Sequence, residues 1–311
     1  MSGTVTEPSV ARTIFHIGAN KAGSTTLQRA LFARHKDVLS LGKPAPAPEA
    51  LCVIEAIRRA CDRLGEGSLP HETERLSQLW RQAVAPAADG RVPVFSHEEM
   101  IRDQYYGEPD PERFPRAIAS ITGPLRVVIV TRHQLQLIES LYIHKANMTA
   151  FLAPHQWFES DRGEHFVYGY RFHEIADAWA RVVGEENVGV FLFEELVNDS
   201  AAFAKRLCDF IGIDADLGAK LLLSQHENVR KSKRTQAYVR LRARLFPAVS
   251  FGQLLPAALR GRWRSYLDGG PRAKVKLPSE WVHRIEEHYR SDNRKLAERF
   301  GLPLQTYDYP M

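Results

Sequence analysis

Four short apolar runs punctuate the chain, at residues 13–17 (TIFHI), 92–96 (VPVFS), 125–131 (LRVVIVT) and 188–193 (VGVFLF). Each ends where small or polar residues begin. Residues 127–130 are all β-branched, the mark of a strand buried on both faces. Between these runs apolar residues recur at helical spacing, at 25–35, 50–85, 135–146, 172–183, 201–211 and 281–300. In the last of these Ile285, Tyr289, Leu296 and Phe300 share one face. The 50–85 stretch breaks at 65–70 into two helices. The prolines of KPAPAPE make 39–49 a surface loop. Strands alternating with helices predict an α/β fold: a single three-layer domain, its central sheet mainly parallel, with helices on both faces. Residues 1–12 read as a flexible tail. Residues 13–311 read as one domain, with a helical insertion at about 50–85.

The first strand leads into FHIGANKAGSTTLQ, residues 15–28. Strand, tight loop and helix N-terminus form a phosphate-binding geometry, because backbone N–H groups and the helix dipole converge on the loop. Gly23 allows close backbone approach, Lys21 supplies a full charge, and Ser24, Thr25 and Thr26 offer hydroxyls. Either Ser24 or Thr25 could equally serve as a helix cap. The loop is P-loop-like without being a Walker A sequence. Gly18 and Gly23 have that spacing, but Ser24 stands where its lysine belongs and Lys21 lies two residues before the second glycine.

Polar residues cluster at two further strand ends, where parallel sheets carry their sites. The run 92–96 leads into His97, Glu98 and Glu99, candidates for proton transfer or for capping the next helix. The run 125–131 ends at Arg132, and Ser140 follows eight residues later on a helix. Arginine pairs two N–H groups with a phosphate, and a nearby hydroxyl adds a third donor.

Residues 21–28, KAGSTTLQ, resemble the 5′-phosphosulfate loop of sulfotransferases, K-[ST]-G-T-T-x-L. Ala22 stands for a hydroxyl residue and Ser24 for threonine. Ser96 and Glu98 resemble the S-x-E segment of bacterial members; other members use a histidine there, which makes His97 the rival to Glu98. Arg132 and Ser140, with Tyr142 two later, resemble the second family motif. That motif commonly has proline after the arginine, where this chain has His133 and Gln134. Residues 193–212 resemble the recurrent F/Y-E-[ED]-L segment and its helix, residues 226–234 a basic loop near the cofactor, and 301–310 the closing segment of bacterial members. The likeness runs from 13 to 310 and is thin over 45–91 and 237–276.

The resemblance implies transfer of a sulfuryl group from 3′-phosphoadenosine 5′-phosphosulfate (PAPS) to a hydroxyl or amine of a glycan, glycolipid or small metabolite. The product nucleotide is adenosine 3′,5′-bisphosphate (PAP), and no metal takes part. Lys21 would stabilise the leaving oxygen, with Glu98, or else His97, as base. Ala22, Gly23, Ser24, Thr25 and Thr26 would cradle the 5′-phosphosulfate, and Arg132 and Ser140 the 3′-phosphate. Lys231 and Lys233 would close over the cofactor. The alternatives are a P-loop kinase and a non-catalytic anion-binding protein.

Composition narrows this little. The chain has 311 residues, 44% hydrophobic and 25% charged, as globular proteins do. No apolar run reaches the roughly 18–20 residues of a membrane span, and 1–12 lacks a signal-peptide core, so a cytoplasmic enzyme is expected. Three cysteines, Cys52, Cys61 and Cys208, make no metal-ligand pattern and are expected as buried thiols. Residues 230–276 hold 13 Lys/Arg and one acid, Asp268, giving +12 within a net +5. That segment suits a bisphosphate, an acidic glycan or an anionic membrane surface. No nucleic-acid motif accompanies it, and nucleic acid is not an expected partner. The aromatics Phe151, Trp157, Phe158, Phe166, Tyr168 and Tyr170 either line an acceptor pocket or pack a loop.

Overall fold

The computed structural model describes residues 12–61, 69–101, 107–146, 154–224, 238, 256–268, 275 and 277–311. The five strands are β1 (Thr13–His16), β2 (Val38–Ser40), β3 (Val92–Ser96), β4 (Leu125–Thr131) and β5 (Val188–Leu192). They form one sheet in the order β2-β3-β1-β4-β5, and every pair is parallel. After β1 the chain leaves toward β2, and after β4 toward β5. The connections therefore part beside the carboxyl ends of β1 and β4, where open α/β sheets place ligands.

Helices cover both faces. Successive β1 side chains point oppositely. Phe15 stacks on Trp80 at 5.4 Å, bringing α3 (Leu69–Val84) to one face beside α2 (Pro48–Cys61). On the same side, α4 (Arg113–Thr122) meets α8 (Phe172–Val183) through Phe114 and Trp179, 6.2 Å apart. His16 faces the other way, against Phe32 at 5.5 Å. That face carries α1 (Ser24–Thr26) and the π-helical turn Leu27–Phe32 that continues it. Further along come α5 (Gln134–Ala146), α6 (Pro154–Phe158), α7 (Asp161–Tyr168), α9 (Phe193–Asn198), α10 (Ser200–Ile211) and α11 (Ala215–Leu223). The chain closes with α12 (Ala257–Asp268) and α13 (Ser279–Phe300).

Several expectations need correction. The segment after the loop is not one regular α-helix: it widens to π geometry, with Ala33 N–H donating to Gln28 O at 3.0 Å. The loop expected at 39–49 opens with a strand, β2, which pairs with β3 from Val38↔Val92 to Ser40↔Val94. β5 stops at Leu192, because Phe193 already belongs to α9. Cys61 and Cys208 are buried as expected, but Cys52 is exposed. Nine helical residues turn Cys52 about half a revolution from Cys61. Trp157, Phe158, Phe166 and Tyr170 pack the core, Trp157 stacking on Phe166 at 5.5 Å. Phe151 lies outside the described residues. Among the described residues no helix is long and apolar enough to cross a membrane.

Candidate active site

The loop after β1 is a tight, largely buried turn. Ile17 N–H extends the pairing with β4 by donating to Val128 O at 3.0 Å. Ala22 N–H then closes back on Ala19 O at 3.1 Å. Two residues take left-handed backbone, Lys21 at φ 71° and Gly23 at φ 82°. Glycine is needed at 23 twice over, since a Cβ there would also stand 2.7 Å from Leu196 Cδ2. A non-glycine residue at Lys21 stores strain of a kind that clusters at functional sites. Its side chain is exposed, whereas Ala22 is fully buried. Ser24 is buried and donates to Ala19 O at 3.2 Å; Thr25 and Thr26 are half-buried. Gly23 O accepts from Thr26 and Leu27 N–H, and the earliest N–H groups of the turn lack intrahelical acceptors by construction.

β4 delivers Arg132 to this loop. The side chain is almost wholly buried, donates from Nη1 to Lys21 O, and lies 4.4 Å from the Phe193 ring centroid. Residues 111 positions apart are thus joined where β1, β4 and α9 meet. His133 and Gln134, which replace the family's proline, are tied to the end of the chain. His133 Nε2–H donates to Asp308 O at 2.7 Å, and its backbone N–H to Glu194 Oε1 at 3.0 Å. Glu194 Oε2 also accepts from Tyr309 OH at 2.9 Å. The Gln134 and Asn293 amides exchange two hydrogen bonds, at 2.7 and 3.2 Å. The turn after Arg132 is therefore fixed by the 308–310 segment, a role Glu194 shares. Ser140 is half-buried in α5, and Tyr142 packs against Trp157 at 5.4 Å.

On the other side of β1, β3 brings up the acidic cluster. His16 pairs with Ser96, and His97 N–H donates to His16 O at 3.3 Å. The His97 ring stacks on Phe95 at 6.3 Å. Glu98 begins a short 3₁₀ turn and accepts from Lys43 Nζ at 3.2 Å. Lys43 is itself anchored, its N–H donating to Ser96 O at 3.2 Å.

Three polar residues that sequence reasoning passed over lie here: Lys43, His16 and Gln28. Ser96 Oγ lies 2.7 Å from His16 Nδ1 and accepts from Gln28 Nε2 at 3.1 Å. Burial pushes the His16 imidazole down to about 3, so it is neutral at ordinary pH. A histidine inside an apolar strand was the available signal, and it acquires meaning only once β1 and β3 are in register. Lys231 and Lys233 lie outside the described residues.

Loop, buried arginine and acidic turn thus share one end of the sheet. A family model described as the sulfotransferase family matches residues 13–216. The chain belongs to the sulfotransferase family. The fold agrees with that of a sulfotransferase from Alicyclobacillus acidocaldarius, at 13% identity and TM-score 0.57, over 96% of this chain and 98% of that one. A sulfotransferase domain of the Synechococcus PCC 7002 olefin synthase aligns at 15% identity and TM-score 0.44, over 90% and 96%. A mouse sulfotransferase complexed with PAP aligns at 13% and 0.36, over 94% and 85%. A comparison with curated proteins finds no match.

Proposed function

We propose that this protein transfers a sulfuryl group from PAPS to a hydroxyl or amine of an acceptor of the glycan, glycolipid or small-metabolite class. The observation that carries the reading is the joint made by Arg132, which ties the turn after β4 to the carbonyl of Lys21. It sets a buried guanidinium beside an anion-binding loop. The residues present fit a bound anion. Gly18 and Gly23 let the loop backbone pack where no Cβ would fit, and Lys21 projects an exposed charge from a strained turn.

When bound, PAPS supplies the sulfuryl group: the acceptor oxygen or nitrogen bonds to sulfur as the bond from sulfur to the 5′-phosphate oxygen breaks, and PAP leaves. Lys21 and the backbone N–H groups of 23–25 stabilise negative charge at the loop, with Ala22 filling its floor. The Ser24, Thr25 and Thr26 hydroxyls orient the same group. Arg132, with Ser140, holds the 3′-phosphate. Glu98 takes the acceptor's proton, with His97 as the alternative base; such a group contributes about 10²–10⁴-fold. Glu98 enters this role from an ion pair with Lys43.

Thermal denaturation with PAP, AMP and Mg²⁺–ATP in parallel tests the reading. A ligand at 100 times its Kd stabilises by about 2.7 kcal/mol. PAP alone is expected to do so. Stabilisation by Mg²⁺–ATP instead, or by none of the three, would overturn it.

A further inference from the structure

His16 is fully buried beneath the loop, and its Nε2 has no hydrogen-bond partner among the described residues. That atom faces Gly18. A Cβ on Gly18 would stand 2.6 Å from His16 Nε2 and 2.7 Å from Ser24 Oγ, so ring and hydroxyl close in on the same face of Gly18, where no side chain fits.

We propose that His16 is a positioning residue of the phosphate loop, a neutral Nε2–H donor that holds the Ser24 oxygen while the Ser24 hydroxyl donates to a bound anion. The inference rests on the loop being the site of the 5′-phosphosulfate.

The tautomer follows from the proton count at Ser96. Gln28 Nε2 can only donate, so Ser96 Oγ accepts from it. The Ser96 hydroxyl proton then has one polar neighbour left among the described residues, His16 Nδ1 at 2.7 Å. With Nδ1 accepting, the ring proton sits on Nε2. The reverse tautomer would leave the Ser96 proton, in a residue 1% exposed, without an acceptor. Burial keeps the ring from taking a second proton.

Ser24 now spends its proton on Ala19 O at 3.2 Å, at the long end of the hydrogen-bond range. To serve an anion, the hydroxyl must turn away from that carbonyl. Rotation about χ1 moves the oxygen as well as the proton, and lets that oxygen accept from His16 Nε2–H, which faces the same side of Gly18. A buried donor left unmade costs about 1–3 kcal/mol, and loading the loop removes that cost. Gln28, Ser96 and His16 thus form a chain of donors ending at Ser24. The chain starts on the π-helical turn and passes through the end of the strand that leads to His97 and Glu98.

Two measurements on the full chain test this. Nitrogen-15 NMR of the wild-type histidines should show His16 neutral and protonated on Nε2 from about pH 5 to 8, with its Nε2 resonance moving when PAP is added. Protonation on Nδ1, or no response to PAP, overturns the proposal. PAP affinities should then be compared for His16→Phe, His16→Gln, Ser24→Ala and the double variants. His16→Phe should weaken PAP by about tenfold, the scale of one hydrogen bond. His16→Gln, whose amide can reach the Nε2 position, should recover most of it. In the Ser24→Ala background the same change should cost less than about twofold, because its partner is gone. Additive losses overturn the proposal even if wild type binds PAP well. A wild type that binds Mg²⁺–ATP and not PAP overturns the proposed function itself, and this inference with it.

Discussion

The two sides of the candidate site are built by different means. On the β1–β4 side the contacts are buried and reach backbone: Arg132 on Lys21 O, Phe193 beneath the guanidinium, Leu196 against Gly23. On the β3 side the proposed base is held by Lys43, whose side chain is 38% exposed. Buried charge-assisted bonds tolerate little change, whereas an exposed ion pair contributes at most about 1 kcal/mol. In the proposed site the anion end is therefore fixed by the fold, and the proposed acceptor end is set by side chains that can be exchanged at little cost.

The largest break is expected at Lys21. Removing a charge aimed at a developing anion costs about 10²–10³-fold in turnover. Lys21→Ala should lower kcat by that much. It should leave the melting temperature near wild type, because the side chain is exposed. Full activity in the variant would show that the loop merely binds. Arg132→Ala should weaken PAP by about a hundredfold by calorimetry, the upper range for a charged hydrogen-bonding group. Arg132→Lys should rescue little, because one ammonium cannot hold carbonyl, ring and phosphate at once. Equal affinity in either variant would dissolve the contrast between the two sides.

A smaller effect is expected from pH. Burial lowers His16 from 6.5 to about 3. Below pH 6.5 the unfolded chain therefore takes up a proton that the folded chain refuses. Its contribution to stability is present above 6.5 and is lost as pH falls toward 3. Between pH 7 and 5 the loss is about 2 kcal/mol. Burial raises Asp292 to about 6, even though it accepts from His173 and Glu174 N–H. Its effect is opposite: stability from its neutral form is present at low pH and lost as pH rises through 6. The clean observable is the difference between wild type and His16→Gln in urea unfolding at the two pH values. The gap should shift by about 2 kcal/mol in favour of the variant at pH 5. An unchanged gap would place the imidazole in a wetter setting than its burial implies.

What could be read from the chain was local. All four predicted strands start where the apolar runs predict, and two of them, β1 and β5, end one residue early, at His16 and Leu192. The loop was legible because glycine spacing and a lysine act within a dozen residues. The place of Arg132 at a strand end was legible because the strand before it is so apolar. What escaped was set by contacts between distant segments. β2 has three residues, and pairing with β3 rather than local propensity makes it a strand. The π turn carries no local signal. The His16–Ser96–Gln28 cluster exists only because register puts His16 beside Ser96, 80 residues away. His133 and Gln134, where the motif commonly has proline, are held by Asp308 and Asn293 from the far end of the chain.

The smallest effect is the most informative about the acceptor side. Lys43→Ala removes a partly exposed partner of Glu98 at 3.2 Å. Stability should change by less than about 1 kcal/mol, as for most such pairs. PAP affinity should not change, because the loop is held by β4 and α9. The acceptor's KM should move, and with it the pH dependence of kcat/KM, because the carboxylate loses the cation beside it. Glu98→Gln would instead lower kcat with both substrates saturating. If Lys43→Ala weakened PAP as strongly as Arg132→Ala, the two sides would be one mechanical unit. A change confined to acceptor kinetics would place acceptor choice on the loop between β2 and α2, where Lys43 sits.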